Sequence, residues 1–371
     1  MKVGIITFHA SHNYGSMLQA YALQQTVLRL GHECEIINLR TSIQKRYYLP
    51  FLLQPGKRKK AKAIIHPILA IDDVRKYWKF EKFLKDKYIL SPRTYSTAEA
   101  LKEDCLDYDF FISGSDQIWN TICIDFMTSY FLDFVKTGKR IAYAPSMGGV
   151  PHISIDEKFF PFIRENIKKY DAISVREEAT LARIKEIMGD SDDLDISIAA
   201  DPTLLLDRKD WLDFIGEKAI IDDDYILLYT PWYANWMMKP VYERAIELAR
   251  QHNLKVVCTL PDATNLYGRI KGFKYYTAVG SLEFLNLMRH ARYVVSASFH
   301  AVVFSILFDK PFYAYDGMKD GRISNLLKIA GLEKYAEETE CLLPEFDGEE
   351  ARKRLAPYIN RSVLFLKNAL K

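Results

Sequence analysis

Val3-Gly4-Ile5-Ile6-Thr7 is an apolar run without alternation, which predicts a strand covered on both faces of a parallel sheet. After a nine-residue loop, Met17, Leu18, Tyr21, Ala22, Gln25 and Leu28 form a mostly apolar stripe at helical spacing, stopped by Gly31. Cys34-Glu35-Ile36-Ile37-Asn38 then reads as a second strand, so the chain begins with a right-handed βαβ unit. The same grammar predicts strands at Phe110 to Ser113, Ile141 to Tyr143 and Ala172 to Val175, each followed by turn residues or a charged helix start.

A second series starts near Asp222, with strands at Tyr225 to Tyr229, Lys255 to Thr259, Tyr293 to Ser296 and Phe312 to Tyr315. Helices at Val241 to Gln251, Leu282 to Arg289, Ala301 to Phe308 and Ile323 to Ala330 alternate with them. The pattern predicts an α/β fold of two Rossmann-like domains facing one another across a cleft. The Asp-rich stretch Ser191 to Asp224 marks the boundary, giving domains at 1–200 and 201–345 and a C-terminal helix at 346–371 that packs back on the first. Tyr77-Trp78-Lys79-Phe80 and Phe83-Leu84 suggest a long helical insertion within about 41–105.

Composition narrows the class. The 371 residues are 49% hydrophobic and 27% charged, as in a globular protein, and 51 basic residues against 48 acidic give no electrostatic case for nucleic-acid binding. Five scattered cysteines have no C-x-x-C pair, and the histidines lack metal-ligand spacing, so no disulfide framework and no metal are expected. Met1-Lys2 runs directly into the first strand without the apolar core of a signal peptide, and no apolar run approaches membrane-spanning length, which predicts a cytoplasmic protein. The basic run Lys57-Arg58-Lys59-Lys60, with Lys62, is compatible with peripheral contact with the inner membrane, although a solvated loop accounts for it better.

Ligands of open α/β sheets gather where strands end and helix N-termini offer free N–H groups, and five segments occupy such positions. In the first loop, His9, Asn13, Tyr14, Gly15 and Ser16 lead into a helix without G-x-G-x-x-G or a P-loop lysine, which favours a sugar or anion contact over a dinucleotide. In Ser113-Gly114-Ser115-Asp116-Gln117-Ile118-Trp119-Asn120, Asp116 offers a carboxylate, Gln117 an amide and Trp119 a face for a sugar ring; a capped turn over a core tryptophan is the competing reading. Arg176 is a cation in a first helical turn, where a bound carboxylate or phosphate would offset the unfavourable dipole. Ser298 should cap the next helix, with Phe299 and His300 in its first turn, where a ring kept neutral by the dipole can act as acid or base. Arg322, after the strand ending near Tyr315, is a candidate second anion clamp or a surface arginine.

These segments resemble the polysaccharide pyruvyl transferase superfamily. The resemblance is carried by Thr7-Phe8-His9 with Asn13-Tyr14-Gly15-Ser16, by residues 113–120, by Ser174-Val175-Arg176-Glu177, by Ala200-Asp201-Pro202-Thr203-Leu204 and by Ser298-Phe299-His300-Ala301. It implies a fold similar to B-type glycosyltransferases and a transferase that moves pyruvate from phosphoenolpyruvate onto two sugar hydroxyls as a cyclic ketal, in surface or capsular polysaccharide biosynthesis. Phosphoenolpyruvate is then the donor substrate, no cofactor is needed, and the acceptor is a saccharide for which a lipid link is compatible with the basic run. By resemblance Arg176 holds the donor and His300 contacts it or moves a proton; the mechanism then assigns Asp116 or His9 to the acceptor side, and Ser115 is a further candidate substrate contact. Several members of the family carry arginine two residues before that histidine, where this chain has Ser298, so a second clamp falls to Arg322 or Lys319. A nucleotide-sugar glycosyltransferase and a non-catalytic sugar-binding partner are the rival readings.

Overall fold

The computed structural model describes residues 1–50, 52–53, 67–149, 155–189, 194–230, 239–259, 272–336 and 345–371. Its basic run at Lys57 to Lys62 lies outside them. The first unit is a seven-stranded, wholly parallel sheet, β1 (Lys2–Ile6), β2 (Glu33–Leu39), β3 (Leu90–Tyr95), β4 (Phe110–Ser113), β5 (Lys139–Ala142), β6 (Ala172–Val175) and β7 (Ile196–Ile198), in the order β3-β2-β1-β4-β5-β6-β7. The second unit has five parallel strands, β8 (Tyr225–Tyr229), β9 (Lys255–Cys258), β10 (Phe273–Tyr275), β11 (Tyr293–Ser296) and β12 (Phe312–Ala314), in the order β10-β9-β8-β11-β12. Each sheet winds outward from its first strand and then reverses, so each has one switch point, between β1 and β4 and between β8 and β11.

Three strands differ from the sequence expectation, and all are short or weakly apolar. Leu90–Tyr95 lies inside the segment read as a helical insertion, yet pairs with β2 as the outer strand; its three central residues are exposed, so it has no continuous apolar run to reveal it. Ile196–Ile198 falls in the Asp-rich boundary, and Phe273–Tyr275 is only partly covered. The helical part of the insertion is real in Ser42–Tyr48 and Pro67–Lys87.

One apolar core continues from the first sheet through the interface into the second unit, and a second covers the other face of the first sheet. Aromatic rings make the junction: Tyr14 stacks on Phe284 (centroids 4.5 Å apart, planes 7° apart) and on Phe80, while Tyr229 packs against both Tyr14 and Phe284. Dispersion between such closely matched faces adds to the burial that joins the units. The final helix, Gly348–Ala369, bridges both: Arg352 reaches the Ile306 carbonyl, and Ser362 Oγ accepts the Ala200 N–H. No described helix is long and apolar enough to cross a membrane.

Candidate active site

Both switch points open onto a helix start, and the two starts touch. The helix Tyr14–Arg29 is capped by Asn13, whose side-chain oxygen accepts the N–H groups of Gly15 and Ser16. The helix Phe299–Leu307 is capped by Ser298, which accepts the Ala301 N–H as its sequence position predicts. His300 therefore occupies the second position of its helix and Gly15 the second position of the other. A Cβ on Gly15 would lie 2.0 Å from His300 Nδ1, so the imidazole occupies space that only glycine leaves open.

Around this contact lies a buried ionic cluster. Arg176, 3% exposed, places Nη1 2.9 Å from Asp201 Oδ2 and 3.9 Å from Asp116 Oδ1, and Nε 3.3 Å from Glu177. Phe299 offers its ring to the same guanidinium, 4.9 Å from centroid to Cζ. Burial opposes the charge on Arg176, but the three carboxylates outweigh it and raise its pKa. The offset to this cation expected from a bound anion comes from the protein's own carboxylates. Arg176 Nη2 nevertheless has no hydrogen-bond partner among the described residues.

Asp201 joins the two halves. Its Oδ2 lies 3.5 Å from His300 Nε2, close enough for strong attraction but without hydrogen-bond alignment, so Nε2 too is unpartnered among the described residues. Burial penalises the Asp201 carboxylate, yet His300, Arg176 and Thr203 together hold its pKa well below the usual range. Asp116 receives a 2.5 Å bond from Ser16 Oγ and has φ 72°, a left-handed conformation that aspartate tolerates at a modest cost. Next to Arg176 is a small crevice, lined in part by Asp201, Phe299, Arg322, Asn325 and Tyr358. Arg322 is paired with Asp320 and lies against Gly149 of the first unit, while Lys319 bonds Asp316.

Other expected contacts take structural places. Trp119 is fully buried, stacked on Phe131 at 4.9 Å with Nε1 donating to the Tyr130 carbonyl, so it has no face for a sugar. His9 is 1% exposed and engages both ring nitrogens, with the Thr7 carbonyl and Asn38 Oδ1. Tyr14 seals the interface, Ser115 donates to the Ala144 carbonyl, and Gln117 accepts from Asn120. Asp201 and Tyr358 were not singled out as site residues. The block Ala200-Asp201-Pro202-Thr203-Leu204 contained the first, whereas Tyr358 has no local signal, since the final helix brings it from beyond the sheets.

The model of the polysaccharide pyruvyl transferase family matches residues 13–317. The chain belongs to that family. It is thus a transferase, and His300, Arg176, Asp116 and Asp201 fall within the matched span, while His9, Arg322, Asn325 and Tyr358 lie outside it. No curated protein matches this pyruvyl transferase family member in sequence. Among solved structures it is similar to S. aureus MnaA bound to UDP, with TM-score 0.50 and 10% identity over 99% of this chain and 90% of that one. It also resembles the UDP-GlcNAc 2-epimerase of Methanocaldococcus jannaschii, with TM-score 0.49 and 13% identity over 97% of this chain and 93% of that one. An alpha-glucosyltransferase in complex with UDP-glucose and abasic DNA matches at TM-score 0.46 and 9% identity, over 97% and 95% of the two chains. The first of these likenesses bears on the fold, that of two Rossmann-like units, and on nothing further.

Proposed function

We propose that the protein moves the pyruvate unit of phosphoenolpyruvate onto two hydroxyls of a saccharide as a cyclic ketal, for a surface polysaccharide. The observation that carries this reading is the pair of buried groups without a hydrogen-bond partner among the described residues, Arg176 Nη2 and His300 Nε2, gathered around Asp201 where the two switch points meet. Buried donors without acceptors are costly, and a phosphate or carboxylate would satisfy them.

Phosphoenolpyruvate is an enol ester whose methylene takes a proton, leaving the adjoining carbon electrophilic. One sugar hydroxyl adds there and gives up its proton; phosphate leaves; the second hydroxyl adds to the same carbon and loses its proton. One proton ends on the new methyl group, and the two released by the hydroxyls return to His300 and to phosphate. The steps need an acid, a base and a site for phosphate charge. His300 supplies acid and base, and Asp201, with Oδ2 3.5 Å from Nε2, orients its ring. Arg176 and Arg322, which line the crevice, are assigned to the donor as its cationic partners, and Asp116, 3.9 Å from Arg176, to the acceptor.

Incubating the purified protein with phosphoenolpyruvate and lipid-linked oligosaccharides should release phosphate and add the pyruvate mass to the sugar. His300→Ala should lower turnover about 10²- to 10⁴-fold. Full turnover by both His300→Ala and Arg176→Ala would refute the site.

A further inference from the structure

The unpartnered donors of the cluster have a counterpart of opposite polarity on the first unit. Asp125, 7% exposed, receives Ser11 Oγ at 2.7 Å and Tyr48 Oη at 2.6 Å, both on Oδ2. Its Oδ1 is buried and has no partner among the described residues, and the same is true of Oε1 of Gln44, which is 4% exposed. Gln44 and Tyr48 are four residues apart on the helix Ser42–Tyr48, so they share one face; burial raises the Asp125 pKa, and Tyr48, Ser11 and the Gln44 side chain beside it work against that by favouring the carboxylate.

The address is that of a ligand site. Ser11 follows β1, the Gln44 helix follows β2, and Asp125 is on the segment following β4; these are three adjacent strand ends around the first switch point. Asp116 acts on the Asp125 carboxyl by its charge, and Cys123, between them in sequence, is within electrostatic reach of Asp116, Asp125 and Arg322. The Asp125 group therefore adjoins the ionic cluster. Its support is rigid: Tyr48 stacks on His12 at 5.0 Å, His12 stacks on Phe80 at 4.9 Å, and Glu81 bonds both His12 and Arg40.

An unpaired acceptor calls for a donor, and two neighbouring ones call for a ligand with two donors that carries no negative charge. We infer that Asp125 Oδ1 and Gln44 Oε1 form a subsite that takes two hydroxyl groups of the acceptor saccharide. This rests on the saccharide-acceptor part of the function proposed above. Tyr48 and Ser11 position the carboxylate, and its free oxygen and the amide oxygen select for neighbouring hydroxyls over phosphate or carboxylate.

Methyl β-D-galactopyranoside and methyl β-D-mannopyranoside are suitable probes, titrated against the full chain by saturation-transfer NMR. Gln44→Met removes an unpaired buried acceptor at nearly constant volume, which offsets the loss of the amide beside Asp125, so it should nearly hold the melting temperature while weakening glycoside binding about tenfold. Asp125→Asn should weaken binding at least as much. A purely structural glutamine would give the reverse, lower stability with unchanged binding. Equal affinities in wild type and Gln44→Met mean that the place holds only water, and absence of glycoside binding by the folded wild type equally overturns the subsite. The phosphoenolpyruvate-induced rise in melting temperature should survive Gln44→Met. If the wild type shows no such rise, the donor reading fails while the glycoside result stands on its own.

Discussion

The helix starts at the two switch points have the same plan and opposite relief. Asn13-Tyr14-Gly15-Ser16 and Ser298-Phe299-His300-Ala301 each place a capping side chain, then an aromatic ring, then the residue that faces the other unit. In the first that residue is cut back to glycine; in the second it is an imidazole that fills the gap. Tyr14 turns its ring into the interface and Phe299 offers its ring to Arg176. His300 is thus set in place by the shape of the opposing backbone, with its Nε2 3.5 Å from Asp201 Oδ2.

Gly15→Ala breaks this arrangement most severely. Alanine is intrinsically better in a helix by about 1 kcal/mol, so propensity alone predicts a more stable protein. The 2.0 Å approach to His300 predicts the opposite: a loss of about 3 kcal/mol, as overpacking gives, and a fall in turnover of about 100-fold from the displaced ring. Chemical denaturation of Gly15→Ala, His300→Ala and the double variant separates the two, because the double variant should regain most of the lost stability.

What lies behind each start should respond to pH in different windows. Burial pushes His9 from 6.5 down to about 4, against the weaker pull of Asn38 and Thr7. The unfolded chain then binds a proton that the folded one refuses, so this contribution is complete above pH 6.5 and is lost as pH falls toward 4. It amounts to about 3 kcal/mol, and His9→Gln should flatten that part of the stability curve while sparing turnover. Asp201 has a depressed pKa as well, but as an acid its stabilisation is present above the ordinary carboxylate value of about 4 and is lost below it. Asp201→Asn should cost about 2 kcal/mol at neutral pH, flatten the acid limb and shift the pH profile of turnover. An unmoved pH profile would separate Asp201 from His300.

How much of this was legible in the sequence follows from what each residue needs. Strands covered on both faces announce themselves by continuous apolar runs, so β1, β4, β8 and β11, which frame both switch points, were readable, and so was the Ser298 cap, a local bond. Leu90–Tyr95 was not, because an outer strand with an exposed middle carries no such run. Arg176 and His300 were found through their positions at helix starts. Their partner Asp201 was not assigned a role, since it is 25 residues from Arg176 in sequence and meets it only when β6 and β7 pair. The mutual fit of Gly15 and His300, nearly three hundred residues apart, has no counterpart in any local pattern.

The smallest expected effect bears on the residue where chemistry and packing gave competing readings. Trp119 follows β4 beside Asp116, where an exposed indole would serve a sugar well, yet its ring is enclosed by Phe131 and Tyr170 and its N–H is committed to the Tyr130 carbonyl. Trp119→Phe keeps an aromatic ring, leaves a small void and orphans one carbonyl, so stability should fall by about 1–2 kcal/mol. The KM for the saccharide should stay as it is, because the indole reaches no surface from which a ligand could approach. A KM raised tenfold or more, with melting unchanged, would mean that the loop after β4 turns outward when an acceptor binds and brings the indole to the saccharide.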